Sequence, residues 1–250
     1  MTFRIRPFAL ATALTLALAT TACGDKTADG AAPTGEPVAK VAPPAGQAWT
    51  DVVSKTSEGG YRMGNPDAPI KLVEYGALSC SHCAEFAKES SEELTNDYIA
   101  SGRVSYELRF FMLNAFDIPA TLLATCGANE AVIPLSDQFW ALQPTMFDNL
   151  QAVGDARLQQ AAALPPAQRM QAIAQLAGMT DFFAARGISR DQAAACLADT
   201  AKADALAKQT ETASSKYNVT GTPSFFINGA SVGTATWSTL EGKLQAAGAR

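Results

Sequence analysis

The sequence holds one histidine, His82, in 250 residues. That nearly excludes a histidine-rich metal centre, or a Ser-His-Asp hydrolase built anywhere else in the chain. Charge is scarce too: Asp, Glu, Lys and Arg make up 17% of residues, and acids outnumber bases 24 to 19. The net charge of −5 leaves no sign of the basic face that a general nucleic-acid binder needs. No internal repeat is visible. The chain is nevertheless 48% hydrophobic, too apolar to be disordered as a whole and long enough to bury a real core. What remains to be explained is five cysteines.

The first of them ends an export signal. Arg4 and Arg6 form a positive start, and Phe8–Ala19 is an uncharged apolar stretch leading to the small residues Thr20, Thr21 and Ala22. About a dozen apolar residues are too few to span a membrane, which takes roughly 20. Cys23-Gly24 follows, an arrangement that resembles a bacterial lipoprotein signal, in which the cysteine becomes the lipidated first residue. Thr20 stands where such signals usually carry Leu, so ordinary cleavage near Ala22 is the alternative. Residues 1–22 are expected to be removed, and 23–48, rich in Ala, Pro, Gly and Thr, to form a flexible tether. Losing two arginines and no acid makes the mature chain more acidic still.

From Trp49 the composition becomes globular. A turn cluster at 64–69 precedes Ile70–Tyr75, a strand by its alternation, with Glu74 on the face of Ile70 and Leu72. Cys80–Ala100 reads as a helix with Cys83, Phe86, Ala87, Leu94 and Tyr98 on one stripe. Val104–Phe111 is a second strand. The stretch 118–217 has helical periodicity, punctuated by Pro134, Pro144, Pro165-Pro166 and Gly187, and reads as several short helices. Pro223–Asn228 is a strand, Asn228-Gly229 a hairpin turn, 230–233 a return strand and 237–247 a closing helix. The charged run Lys88–Glu93 reads as a solvated helix face, and Phe225-Phe226 as core.

Cys80-Ser81-His82-Cys83 carries the chemistry. A zinc site would want a second ligand pair, and haem attachment would want His where Ala84 stands. A Cys at a helix start meets unpaired backbone N–H groups and the positive dipole end, which favour thiolate over thiol. Cys80 is then the attacking sulfur and Cys83, deeper in the first turn, the resolving one. Cys80 is expected to titrate well below the ordinary value of about 8.5, with Cys83 well above Cys80.

This pair, the helix behind it, the helical block and the stretch GTPSFFING (residues 221–229) resemble thiol:disulfide interchange proteins of the DsbA type. The resemblance runs from about Trp49 to the C-terminus. It implies an α/β thioredoxin fold with an inserted helical domain and a disulfide-forming or disulfide-shuffling activity on exported proteins. It further implies that Pro223, after Thr222, is the cis-proline beside the reactive sulfurs, where the loop meets substrate backbone. Glu74 would be the buried acid that relays a proton to Cys83, the alternative being an exposed strand glutamate. The imidazole of His82 would stabilise the Cys80 thiolate, unless it is merely solvated. Cys126 and Cys196 would form a second, non-catalytic disulfide within the insertion; two buried thiols are the alternative.

The expected activity is oxidation of reduced, unfolded exported polypeptides by a monomer without cofactor or bound metal, reoxidised by a DsbB-like membrane partner. The expected place is a bacterial periplasm, with contact to the membrane only through the lipid on Cys23. Isomerase or reductase flux through the same sulfurs is the nearest rival. A copper chaperone using Cys80, Cys83 and His82 would be short of the usual further histidine, since none follows His82. A non-catalytic peptide-binding lipoprotein would have no need of the cysteine pair.

Overall fold

The computed structural model describes Thr2 and residues 33–250, so the expected signal (1–22) and lipidated Cys23 lie outside the described residues. Six strands form one sheet: β1 (Val53–Lys55), β2 (Tyr61–Met63), β3 (Ile70–Gly76), β4 (Val104–Phe110), β5 (Ser224–Ile227) and β6 (Ala230–Gly233), in the order β1-β2-β4-β3-β5-β6. β3 and β4 run parallel and every other pair antiparallel. The parallel pair needs a crossover, and α1 (Ser81–Glu93) supplies it. β3 lies inside the sheet, paired on both edges by β4 and β5, and its alternation buries Ile70, Leu72 and Glu74 together on one face. Asn228 and Gly229 both have positive φ, 51° and 82°, the geometry of a tight two-residue hairpin, and they set the β5–β6 register at Ile227 opposite Ala230.

α1 buries Cys83, Phe86, Ala87 and Ser90, a stripe at three- and four-residue spacing. Phe86 packs on Phe225 of the sheet (4.5 Å between rings) and meets Trp237 at the start of α9 (Trp237–Ala246). The expected single helix to Ala100 instead changes at Leu94 into a π-helical turn, Leu94–Ile99. This wider turn keeps Leu94, Tyr98 and Ile99 buried together as the chain bends toward β4.

Between β4 and β5 lies the helical block: α2 (Asp117–Ala124), α3 (Asn129–Val153), α4 (Asp155–Ala162), α5 (Pro166–Leu176), α6 (Met179–Ala184), α7 (Arg190–Leu197) and α8 (Thr200–Tyr217). A cluster of Phe139, Phe182 and Phe183, with ring centres 5.0–5.5 Å apart, joins α3 to α6. Pro134 and Pro144 were expected to break helices, yet both stand inside the 25-residue α3. Each removes one backbone hydrogen bond at a cost of about 3 kcal/mol. Both prolines are exposed, and the helix is carried through them by the opposite face, which buries Phe139, Trp140, Met146 and Leu150.

Two more expectations change. Three-residue β1 and β2 were not expected, because so short a stretch shows no period. The tether read over 23–48 does not run free in its described part. Gly35 N–H donates to the Ala246 carbonyl (2.9 Å), Val38 N–H to Gly248 (2.8 Å) and Val41 N–H to Ser101 (2.9 Å), while buried Trp49 donates its indole N–H to Val41 (2.7 Å). Composition speaks of side chains, and what docks this segment is its backbone.

Candidate active site at the start of helix α1

Cys80 is the N-cap of α1. Its Sγ accepts the Cys83 N–H at 3.3 Å, and as a thiol it donates to the Thr222 carbonyl at 3.3 Å. Hydrogen bonds donated to the sulfur hold Cys80 down to about 6, the Cys83 thiol contributing most. Partial burial opposes the shift; the Thr222 hydroxyl and the backbone N–H groups of Cys83 and His82 add to it. The Thr222 hydroxyl is otherwise buried without a partner, so the thiolate is the acceptor open to it. Cys83 is fully buried, and burial, its donation to Cys80 and the charges of Glu74 and Cys80 all push its thiol far up. The two sulfurs are thus an outer, easily ionised one and an inner one that ionises with great difficulty.

The Thr222–Pro223 bond is cis, and its loop lies against Cys80 through the Thr222 contacts. Glu74 is fully buried beneath the pair: Oε2 accepts from the Tyr106 hydroxyl at 2.8 Å, while Oε1 has no partner. Burial raises it to about 8, against the lowering by Tyr106 and with help from the charges of Asp137 and Cys80. His82 is placed differently from expectation. Its side chain is 76% exposed and its Nδ1 lies 3.6 Å from Glu85, so what reaches the Cys80 sulfur from His82 is the backbone N–H, not the imidazole. A helix N-cap offers its first N–H groups inward while the side chains splay outward. Among the described residues, no group of three or more His, Cys, Asp and Glu is arranged to hold a metal ion.

A family model described as thioredoxin matches residues 56–246, most of the chain, including both sulfurs, Glu74 and the cis-proline. The chain belongs to this thioredoxin family. Within it, a crystal structure of protein-disulfide isomerase from Novosphingobium aromaticivorans superposes with a TM-score of 0.70 at 33% identity, covering 74% of this chain and 95% of that one. Wolbachia pipientis alpha-DsbA1 shares the fold at a TM-score of 0.58 and 21% identity, covering 75% and 90%. A Rickettsia bellii protein described as a protein-disulfide oxidoreductase is 25% identical over 178 residues. The thioredoxin-family chain spans 60% of the length of that relative, and the match covers 71% of its own.

Cys126 and Cys196 are joined in a disulfide (Cα–Cα 5.9 Å) that ties the end of α2 to α7, inside the helical block and apart from the site. The block reaches the site by other residues, which sequence reasoning missed. Trp140 Nε1 donates to the Ala77 carbonyl and Gln143 Nε2 to the Leu78 carbonyl, both at 2.9 Å. Fully buried Asp117 accepts from the Ser79 N–H (2.8 Å) and hydroxyl (3.0 Å), and also from the Leu113 and Asn114 N–H groups. Every residue of the loop entering Cys80, Ala77-Leu78-Ser79, is therefore fixed by the insertion. No spacing could have signalled this, because the acceptors are backbone groups 63 and 65 residues away from Trp140 and Gln143.

Proposed function

We propose that this thioredoxin-family protein is a thiol:disulfide oxidoreductase that introduces disulfides into exported proteins through Cys80 and Cys83. The observation that carries the reading is the asymmetry of the pair: Cys80 at the helix start held down to about 6, Cys83 buried and pushed far up. In the oxidising direction a substrate thiolate attacks Cys80 Sγ of the Cys80–Cys83 disulfide. The S–S bond breaks with its electron pair on Cys83, which takes a proton from Glu74, and a Cys80–substrate mixed disulfide forms. A second substrate thiolate then attacks the substrate's own sulfur in that bond. The substrate leaves oxidised, and Cys80 leaves as a stabilised thiolate. Stabilising this thiolate stabilises the reduced enzyme, which makes the disulfide the stronger oxidant. The enzyme then needs an oxidant, for which a quinone-linked membrane protein of the DsbB type is the fitting class. The cis-Pro223 loop, with Thr222 against Cys80, is where substrate backbone would lie. The export signal and Cys23 favour work at a lipid anchor in a bacterial periplasm.

Isomerase flux is the second reading, favoured by the name of the Novosphingobium neighbour. Cys80 at about 6 lies between the value of about 7 for thioredoxin and about 3.5 for DsbA, so the reduction potential is expected between about −270 and −120 mV. Equilibration with glutathione measures it, alongside oxidation of a reduced, unfolded substrate by wild type and Cys80→Ser. Oxidation that disappears in Cys80→Ser supports the reading. Full activity in that variant, or a potential at or below about −270 mV, overturns the oxidising role.

A further inference from the structure

Glu74 cannot exchange a proton with water directly, because it is fully buried and its free Oε1 faces the interior. What that interior holds is a narrow void with room for water of about 20 Å³, lined by Glu74, Tyr106, Ile99, Ser91 and Asp137 among others. A space of that size takes about one water molecule. On the other side of Asp137 an open groove of about 800 Å³ runs between α1 and α3, past Ser81, Lys88, Glu92 and Trp140. Three residues line both void and groove: Ala87, Ser91 and Asp137. Asp137 is the one of them that carries a titrating proton.

We propose that Asp137 passes protons between solvent in the α1–α3 groove and Glu74, across the void, so that Cys83 gains and loses its proton without the core opening. This rests on the dithiol reading above. When the Cys80–Cys83 bond breaks with its electron pair on Cys83, Glu74 gives up its proton and is left ionised in the core. A proton from Asp137 crosses the void and restores the Glu74 acid, and water in the groove restores Asp137. When Cys83 later attacks a mixed disulfide, the same proton leaves by the reverse route. Asp137 touches neither sulfur and acts through Glu74.

The electrostatics suit a relay. Burial raises Asp137 to about 7, a hydrogen bond with Ser91 opposing the rise, and raises Glu74 to about 8. Both therefore hold and release protons near neutral pH, and transfer from Asp137 acid to Glu74 carboxylate runs slightly downhill. The groups that bear on Glu74 are Tyr106, Asp137, Cys80 and Cys83. Those sharing Asp137's surroundings are Ser91, Glu85, Lys88 and Glu92.

The test follows reduction of the Cys80–Cys83 disulfide in the full chain by dithiothreitol, with acid-quenched and alkylated samples, from pH 5.5 to 9. Dithiothreitol is a reductant of known chemistry, so the readout does not depend on the biological substrate. Asp137→Asn is expected to slow reduction about tenfold at pH 7, to abolish the rate change centred near pH 7, and to make the rate rise with added imidazole as a diffusible proton carrier. Its equilibrium potential should match wild type, Asp137→Glu should restore the rate, and Ser91→Ala should move the change to higher pH. Wild-type rate and pH profile in Asp137→Asn would overturn the relay. So would a defect that Asp137→Glu shares and imidazole leaves untouched, since that describes a packing role. A peptide dithiol run in parallel separates the two readings: if wild type fails to oxidise it while the dithiothreitol results hold, the proposed function falls and the relay stands.

Discussion

The sheet with α1 and the helical block of α2–α8 contribute to one site in opposite ways. From the first come the groups proposed to react: both sulfurs, the cis-Pro223 loop and Glu74, within elements contiguous with β3, α1 and β5. From the second come no groups that meet the sulfurs. Trp140, Gln143 and Asp117 instead fix the three residues leading into Cys80 by hydrogen bonds of 2.8–3.0 Å. An N-cap sulfur is useful only if it points along the helix axis at the first N–H groups, and its direction is set by the loop before it. The difference teaches that the sulfur chemistry is local and its aim is borrowed.

If that division is right, the largest effect should be confined to one side of it. The Cys126–Cys196 bridge closes a separation of 70 residues, and on the chain-entropy view its loss costs about 4 kcal/mol. Cys126→Ala with Cys196→Ala should lower the urea midpoint accordingly, while the Cys80 titration, followed by thiolate absorbance, stays put. A Cys80 value that moves along with the midpoint would mean that the block does more than hold the loop.

Glu74 tests the other side. Its folded pKa of about 8 lies above the ordinary carboxylate value, so the protonated form is the one the fold accepts. Its share of stability is complete below pH 4.5 and is lost as pH rises toward and through 8. Glu74→Gln, neutral throughout and still able to accept from Tyr106, should match wild type at pH 4. At pH 8 it should exceed wild type by on the order of 4 kcal/mol in the reduced protein. Parallel stability curves for the two proteins from pH 4 to 9 would show that Glu74 is ionised in the fold at no cost. Trp140→Phe, which removes one N–H from a buried carbonyl and keeps most of the ring, should cost about 1–2 kcal/mol and raise the Cys80 value. A stability loss with an unmoved Cys80 would break the link between the block and the sulfur.

Sequence alone was most informative where chemistry and local structure coincide. Cys80–Cys83 sit on the helix that their spacing calls for, β3 alternation buries Glu74, and Asn228-Gly229 makes the hairpin its residue types favour. It was least informative where a long-range partner decides the outcome. Pro134 and Pro144 read as breaks because their cost is local and visible, whereas the buried face that carries α3 through them is tertiary. Likewise Gly35–Val41 has the composition of a tether, and it is the C-terminal residues, Ser101 and the Trp49 indole that give its backbone places to bond. Asp137 carries no motif at all; its interest lies in standing between a void and a groove.

The smallest effect concerns His82, where a side-chain reading of the sequence and the backbone geometry disagree. An imidazole beside the sulfur would make His82→Ala a strong perturbation. The side chain is instead 76% exposed and 3.6 Å from Glu85, and an exposed ion pair is worth about 0–1 kcal/mol. His82→Ala should therefore raise the Cys80 value by no more than about 0.7 of a unit, given 1.36 kcal/mol per unit. The backbone N–H of His82, by contrast, helps hold the thiolate. His82→Pro removes that donor at the second residue of α1, within the first turn, where proline costs the helix little because the N–H has no intrahelical partner. It should raise the Cys80 value more than His82→Ala does, and weaken the oxidant in step. Thiolate absorbance against pH for the two variants and wild type decides between them. Were His82→Ala to shift Cys80 by as much as His82→Pro, the imidazole would have to swing from Glu85 to the sulfur in solution, and the outer sulfur would owe its acidity to a side chain after all.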